Sequence, residues 1–298
     1  MKRLFFYLKF SYNINMEIIR ASVLGFCFGV RRAVELAEKS LLENPGKKVY
    51  SLGPLIHNET ALKALGNKGL MIIEEDDLDK LPENSVVIIR AHGVAPNVIK
   101  ILQSKNCKIV EATCPRVKAS QKNVSKYTHN DDYVILTGDK NHGEVKGIAG
   151  YAGKNFVLIQ TAEEAKALSI PDCDNKKVIL LSQTTFSPKE FIEIENILKS
   201  KIKNLTVMNT ICPATNERQE ALAELCAQVD GVLVIGGKAS ANTIRLYQSA
   251  KANCKNAAHI QGAEGIPEEF FSMNKVGITA GASTPDSVID SVEKALKK

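Results

Sequence analysis

The sequence predicts an α/β protein built from three similar lobes, and three observations predict it. Short, β-branched apolar runs alternate with helical apolar periodicity along the whole chain, the pattern that gives parallel sheets. Cys27, Cys114 and Cys212 each stand just before a helix-like segment, 87 and 98 residues apart. Counting on from each cysteine, a polar landmark follows after 30, 28 and 28 residues (His57, His142, Ser240), and another after 65, 70 and 71 (His92, Thr184, Ser283). A repeat of that length means similar lobes, not a solenoid of short units. The cysteines are the natural boundaries, giving lobes at 16–112, 113–210 and 211–298 after an N-terminal extension, 1–15.

The extension differs from the rest. Lys2, Arg3 and Lys9 flank a short apolar stretch from Leu4 to Leu8, and no small-residue cleavage site follows, so a signal peptide is not expected. Met16 opens a clean strand, 17–23, and is the expected natural start. Further strands are expected at 48–52, 85–89, 108–110, 133–136, 178–181, 205–208, 231–235 and 275–279, short and apolar as strands buried on both faces should be. Between them, Val30, Ala33, Val34, Ala37 and Leu41 lie at helical spacing, as do Phe191, Ile194, Ile197 and Leu198, and Ala221, Leu222 and Leu225. Ser187 with Pro188 and Glu190 marks a helix start, Thr161 with Glu164 a capping box, and Ser283 with Pro285 and Asp286 another start.

Composition narrows the function classes. At 298 residues, 44% hydrophobic and 24% charged, the chain is ordinary globular material, and no apolar run approaches the roughly 20 residues of a membrane span. The net charge of +6 comes from dispersed lysines. Basic runs with interleaved aromatics are absent, which disfavours nucleic acid; the charge reads as a solvated surface first, and otherwise as attraction to an anionic small molecule or an acidic protein partner. The seven cysteines are odd in number, widely spaced and without a CxxC pair, so a reduced, cytoplasmic protein is expected. Cys226 falls on an apolar helix face and reads as packing; Cys107, Cys173 and Cys254 lie in Lys- or Asn-rich connections with no polar constellation nearby.

The three repeating cysteines are different. A thiol at a helix N-terminus feels the helix dipole and ionises more readily, and thiolate is the form that binds iron or zinc. If the lobes surround a common axis, three thiolates converge and leave one coordination position open, an arrangement suited to catalysis. The other landmarks follow strand ends, where open α/β sheets bind ligands. Histidine, serine, threonine and asparagine beside glycine are what a phosphate needs: donors and close backbone approach. His57, His92 and His142 could alternatively be further metal ligands. Ser283 could simply cap a helix. Glu144, two residues after His142, could be a surface carboxylate or a proton carrier. His129 and His259 fall outside the pattern and are expected on the surface.

Taken together, the motifs resemble the 4-hydroxy-3-methylbut-2-enyl diphosphate reductase family of the methylerythritol phosphate route to isoprenoids. The resemblance runs from Met16 to the C-terminus. It is carried by Gly25-Phe26-Cys27, His57-Asn58, Ala91-His92-Gly93-Val94, Ala112-Thr113-Cys114-Pro115, His142 with Glu144, Gln183-Thr184-Thr185, Ile211-Cys212, Ala214-Thr215-Asn216-Glu217-Arg218-Gln219 and Thr279-Ala280-Gly281-Ala282-Ser283. Each string is weak alone; in this order and spacing they are specific. The resemblance implies a pseudo-threefold trefoil around a [4Fe–4S] cluster held by Cys27, Cys114 and Cys212, with one iron left open to the substrate's allylic hydroxyl. It implies His57, His92, His142, Ser240, Asn242 and Ser283 as diphosphate donors, Glu144 as the proton-delivering acid, and Thr184 as the hydroxyl that orders substrate and water. The implied products are isopentenyl and dimethylallyl diphosphate, with electrons from a ferredoxin- or flavodoxin-type protein. One departure stands out: Ala241 occupies a position where many family members carry a second serine. The rival readings are a redox-neutral iron–sulfur dehydratase, which needs no external electrons, and an iron–sulfur sensor, for which the sequence offers no output module.

Overall fold

The computed structural model describes residues 16–56, 58–170, 176–238 and 240–298. The expected extension, His57 and Cys173 lie outside them. The chain runs β1 (Glu17–Arg20), α1 (Phe28–Glu43), β2 (Val49–Leu52), α2 (Glu59–Asn67), β3 (Leu70–Ile73), β4 (Val86–Ile89), α3 (Pro96–Ser104), β5 (Lys108–Glu111) and α4 (Pro115–His129). It continues through β6 (Tyr133–Thr137), α5 (Gly143–Ala149), β7 (Phe156–Ile159), α6 (Ala162–Ala167), β8 (Val178–Ser182), α7 (Pro188–Lys201), β9 (Leu205–Val207) and α8 (Ala214–Cys226). It closes with β10 (Gly231–Ile235), α9 (Ala241–Asn253), β11 (Asn256–Ile260), β12 (Lys275–Ala280) and α10 (Asp286–Leu296). None of the described helices is long and apolar enough to cross a membrane.

The strands form three four-stranded sheets, and every pairing is parallel. Their orders are β3-β2-β4-β5, β7-β6-β8-β9 and β11-β10-β12-β1. The three orders are the same. After each cysteine the chain lays down an inner strand, then an edge strand, then the second inner strand. The fourth strand takes the far edge and leads to the next cysteine. In the last sheet that fourth strand is β1, from the start of the chain, in register with β12 (Glu17 opposite Lys275, Arg20 opposite Ile278). The repeat therefore closes across the chain ends. The segment expected as a first lobe, 16–112, includes Glu17–Arg20, yet those residues hydrogen-bond within the sheet of the C-terminal segment. Counting from cysteine to cysteine conceals this, because a strand's partners are set by pairing rather than by chain order.

Two compact units are distinguished. The first comprises the chain up to Cys27, a short passage ending at Ala61, and Ala214–Lys298. It holds the sheet β11-β10-β12-β1, whose faces alternate with the two-residue period of a strand. Val232 and Val234 pack with Leu222, Leu225 and Leu246 from α8 and α9. Leu233 and Ile235 pack with Ile289, Val292 and Leu296 from α10.

The second unit, Phe28–Ile56 with Leu62–Pro213, holds the other two sheets. Ile135, Val178 and Leu180 pack under Phe191, Ile194 and Leu198 of α7. On the opposite face, Val134, Leu136, Ile179 and Leu181 meet Val117 and Val124 of α4 and Val145 and Ile148 of α5. Leu52, Val87 and Ile89 bury Val98 and Leu102 of α3.

Helix starts follow the local chemistry. Ser187 Oγ accepts the Glu190 N–H at 3.4 Å, with Pro188 at the first helical position. Thr161 Oγ1 accepts the Glu164 N–H at 3.2 Å. The N-cap position of α10 is Pro285, two residues beyond Ser283. Three strands not expected from the sequence, β3, β7 and β11, are each paired on one side only, at the same edge of their sheets. They lie partly exposed. The runs in β3 and β7 are four residues long, too short for periodicity to separate strand from helix. In β11, Asn256, Ala257 and Ala258 have little β preference.

Helix α8 lies close on β12, since a Cβ at Gly277 would come within 2.9–3.1 Å of the Leu225 side chain. Gly277→Ala is expected to destabilise the protein by about 1–3 kcal/mol through overpacking. Gly66→Ala, in a helix with nothing within 4 Å of the new methyl, is expected to stabilise by about 0.5–1 kcal/mol. Thermal unfolding of the two variants beside the parent checks both signs.

Candidate active site

The three repeating cysteines occupy equivalent strand-to-helix junctions. Cys27 immediately precedes α1, and its N–H donates to Ala282 O at 3.0 Å, on the turn after β12. Cys114 is the N-cap of α4, with Pro115 at the first helical position, and its N–H donates to Ala91 O at 2.9 Å. Cys212 lies just before α8, and its N–H donates to Thr184 O at 2.7 Å. None of the three is in a disulfide, and all are half-buried. A Cβ at Gly29 would lie 2.7 Å from Cys114 Sγ, so the absence of a side chain there leaves that thiol its room. Cys27 belongs to the first unit and the other two to the second. Among the described residues, no three His, Cys, Asp or Glu side chains close into a metal-ligand group.

Within the second unit, one polar chain connects the two cysteines. From Cys114 it passes to Ala91, which is followed by His92 on the turn after β4. The His92 ring meets the His142 ring edge-on, centroids 5.2 Å apart. His142 caps α5, its Nδ1 accepting the Glu144 N–H at 3.2 Å. That bond leaves the proton of the neutral ring on Nε2, a donor for whatever lies beyond. Glu144 accepts twice from Thr184, from the N–H at 2.7 Å and from Oγ1 at 2.8 Å. Thr184 O then receives the Cys212 N–H. Gly93, at φ +72°, makes the turn beside His92 in a conformation that side chains rarely adopt, and a Cβ there would strike the Gln121 amide.

The first unit gathers a smaller group beyond the carboxyl ends of β10 and β12. Ser240 caps α9, its Oγ accepting the Thr243 N–H at 3.4 Å. The Asn242 Nδ2 is buried and finds no partner among the described residues. Ser283 lies half-buried on the turn that receives the Cys27 N–H. His57 lies outside the described residues. His129 is exposed, as expected. His259 is not a plain surface residue: its Nε2 lies 3.1 Å from Gly236 O, at the exit of β10, and its ring packs on Tyr247. Cys226 is buried, with Cys254 packed against it.

Two arginines take positions that the sequence did not assign them, although Arg218 stands in one of the motif strings. Arg218 is buried on α8 and donates to Gly25 O at 2.8 Å and Ala214 O at 2.7 Å, which ties the turn before Cys27 to that helix. Arg90 follows β4 and is 15% exposed, in an ion pair with Glu75 at 2.9 Å. Its guanidinium is wedged between Gly53 and Gly143, where side chains would collide with it, and its Nε has no partner among the described residues. A lone arginine at a strand end carries no pattern of its own. The only sequence signal was that each glycine lies beside a candidate loop.

Parallel sheets with thiols, imidazoles and a buried acid collected at strand exits define the class: a multi-lobed α/β protein with a polar, thiol-bearing site. Residues 18–297 match the LytB protein family, and the chain belongs to that family. It is 46% identical to a 4-hydroxy-3-methylbut-2-enyl diphosphate reductase of Treponema denticola, over 94% of this chain and 99% of the relative. It is 41% identical to the reductase of the same name from Aquifex aeolicus, over 95% and 96%. A solved structure titled as (E)-4-hydroxy-3-methyl-but-2-enyl diphosphate reductase, the terminal enzyme of the non-mevalonate pathway, superposes with a TM-score of 0.80 at 39% identity, covering 95% of this chain and 99% of that one. The structure of the E-1-hydroxy-2-methyl-but-2-enyl-4-diphosphate reductase of Plasmodium falciparum gives 0.81 at 28% identity, covering 95% and 89%.

Glu144 is 2% exposed, and burial pushes its carboxyl above the usual carboxylate range, against the two Thr184 hydrogen bonds that favour the charged form. A raised folded pKa gives stability that is complete below the unfolded value, about 4.3, and is lost as pH rises through the folded value. A glutamine side chain in its place would present the neutral carboxyl's pattern, an oxygen to the Thr184 N–H and a donor to Oγ1. The parent is therefore expected to lose thermal stability relative to Glu144→Gln as pH rises from about 4 toward neutrality. Parallel melting curves of the two proteins across that range check the sign.

Proposed function

We propose that this chain reduces 4-hydroxy-3-methylbut-2-enyl diphosphate to isopentenyl and dimethylallyl diphosphate, in the cytoplasm, taking electrons from a ferredoxin- or flavodoxin-type protein. The observation that carries the reading is the buried Glu144–Thr184 pair, one backbone hydrogen bond from the thiol-bearing residue Cys212 and one from the capping imidazole His142. The named relatives supply the substrate. In this reading three lobes, near 16–112, 113–210 and 211–298 with 17–20 joining the last, surround a common centre.

The donor set suits an iron–sulfur cluster. Three half-buried cysteines, none in a disulfide, stand at equivalent helix starts, and Gly29 keeps the space beside Cys114 Sγ open. When bound by Cys27, Cys114 and Cys212, a [4Fe–4S] cluster supplies the electrons and a Lewis-acidic iron for the substrate's hydroxyl. The chain's own residues do the rest. Two electrons and two protons replace the hydroxyl by hydrogen and release water. Glu144, whose protonated form burial favours, passes a proton to Thr184 Oγ1, which releases its own to the leaving oxygen. His142, held in the Nε2–H tautomer, and His92 beside it donate to the diphosphate. His57, Ser240, Asn242 and Ser283 complete the shell, and the unpartnered Asn242 amide is a donor in need of an acceptor. With Ala241 the shell lacks one hydroxyl, worth about 1.5–3 kcal/mol if nothing replaces it.

Anaerobically prepared protein is expected to bind about four irons. Cys27→Ser, Cys114→Ser and Cys212→Ser should each cripple that assembly, and Cys226→Ser should not. Full iron content in all three ring variants would refute the assignment. Glu144→Gln is expected to keep its iron and its affinity for the diphosphate while turnover drops about 10²-fold or more. Calorimetric titration should show the diphosphate binding far more tightly than the corresponding alcohol, weakened in His142→Ala and Asn242→Ala and tightened or unchanged in Ala241→Ser. Equal affinity for diphosphate and alcohol would refute the diphosphate shell.

A further inference from the structure

Phe28 opens α1 with 72% of its surface exposed, immediately after Cys27 in the chain. A single exposed apolar side chain needs no explanation; its surroundings make this one unusual. The next residue, Gly29, lies directly over Cys114, a would-be Cβ being 2.7 Å from Sγ and 3.1 Å from Cβ. Gly29 therefore puts no side chain of its own between this helix start and that thiol. Cations flank the phenyl ring's helix turn. Arg31 is exposed on α1, and Arg116 is exposed on the first turn of α4. The Arg32 guanidinium donates to Glu111 O at 3.0 Å and Thr113 O at 3.2 Å, which fixes α1 against the segment that carries Cys114. Lys118 adds a fourth cation, partly offset by Glu111 at 2.8 Å. The carboxylate next along α1 is the exposed Glu35, a turn beyond Arg31.

An exposed phenyl ring on a helix start that also carries Arg31 and Arg32, beside the Arg116-bearing turn of a candidate cluster thiol, is suited to a brief encounter with a negatively charged protein. We propose that this face of the second unit, formed by Phe28, Arg31, Arg32 and Arg116, docks the electron donor, a small acidic one-electron carrier protein. The inference rests on the reductase reading and adds the place where the donor binds. Two encounters serve each turnover. Each oxidises one carrier by one electron, and the two electrons with two protons break the substrate's C–O bond and release its hydroxyl as water. Charge attraction steers the carrier and sets the encounter rate. The interface can be small, as for weak redox complexes below about 1,200 Å².

The test compares two electron sources on the anaerobic, cluster-loaded protein: a reduced acidic plant-type ferredoxin, and reduced methyl viologen, a small cation that needs no docking face. Arg31→Glu, Arg116→Glu and Phe28→Ala are made, and each is used only after its iron content matches the parent's. The charge reversals are expected to lower ferredoxin-driven kcat/KM at low ionic strength by about tenfold or more, and to weaken binding of oxidised ferredoxin by titration. The salt dependence of the rate should flatten, and Phe28→Ala should weaken binding with that dependence intact. Viologen-driven turnover should match the parent in all three. Unchanged ferredoxin binding and rate in the arginine variants would overturn the docking face, as would an equal loss with both donors. An unaltered protein that turns over with neither donor would overturn the reductase reading itself.

Discussion

The double hydrogen bond from Thr184 to Glu144 is the interaction on which the second unit's polar site depends. A carboxyl this deeply buried is costly unless it is neutral or fully bonded. Thr184 provides both bonds from one residue, through its N–H and its hydroxyl. The consequences extend in two directions. Toward the N-terminus, Glu144 fixes the first turn of α5 and with it the tautomer of His142, whose ring meets His92. Toward the C-terminus, the Thr184 carbonyl receives the backbone of Cys212. An acid, two imidazoles and a thiol thus share one framework, and their spacing is set by backbone bonds rather than by flexible side chains.

The second constraint is the closure of the repeat across the chain ends. The sheet that carries Ser240, Asn242 and Ser283 is completed only when β1 pairs with β12, and that pairing delivers Cys27 to the turn after β12. Arg218 reinforces the same place from α8. Ion pairs from Arg20 to Asp290 and Glu293 tie β1 to α10 as well, but they are exposed and contribute little beside the strand pairing. Residues that are farthest apart in sequence are therefore neighbours in the first unit, and the thiol nearest the N-terminus is positioned by the C-terminal sheet.

Much of this was legible in the sequence because polar landmarks stand out against apolar strands. Cys27, Cys114 and Cys212 are where helices start, and His92, His142, Thr184, Ser240 and Ser283 follow strand ends, as their spacing required. Less legible were features set by pairing or by three-dimensional packing. Edge strands β3, β7 and β11 carry little alternation, since only one side is bonded and neither face is fully buried. Ser283 with Pro285 marked the start of α10, which the structure places at Asp286, just after the turn that receives the Cys27 N–H. The partner of β1 could not be read from a strand whose neighbour lies at the opposite end of the chain. Arg90 and His259 gain their positions from Gly53, Gly143 and Gly236, contacts with no sequence period.

A site that joins a proton donor to external electrons must consume two electrons for each product, and redox stoichiometry measures this. Anaerobic, cluster-loaded protein is incubated with 4-hydroxy-3-methylbut-2-enyl diphosphate and reduced methyl viologen, and dye oxidation is followed beside product formation. The account predicts two viologen radicals oxidised for each isopentenyl or dimethylallyl diphosphate formed. Loss of the substrate's hydroxyl without dye oxidation would instead mark redox-neutral dehydration and contradict the account.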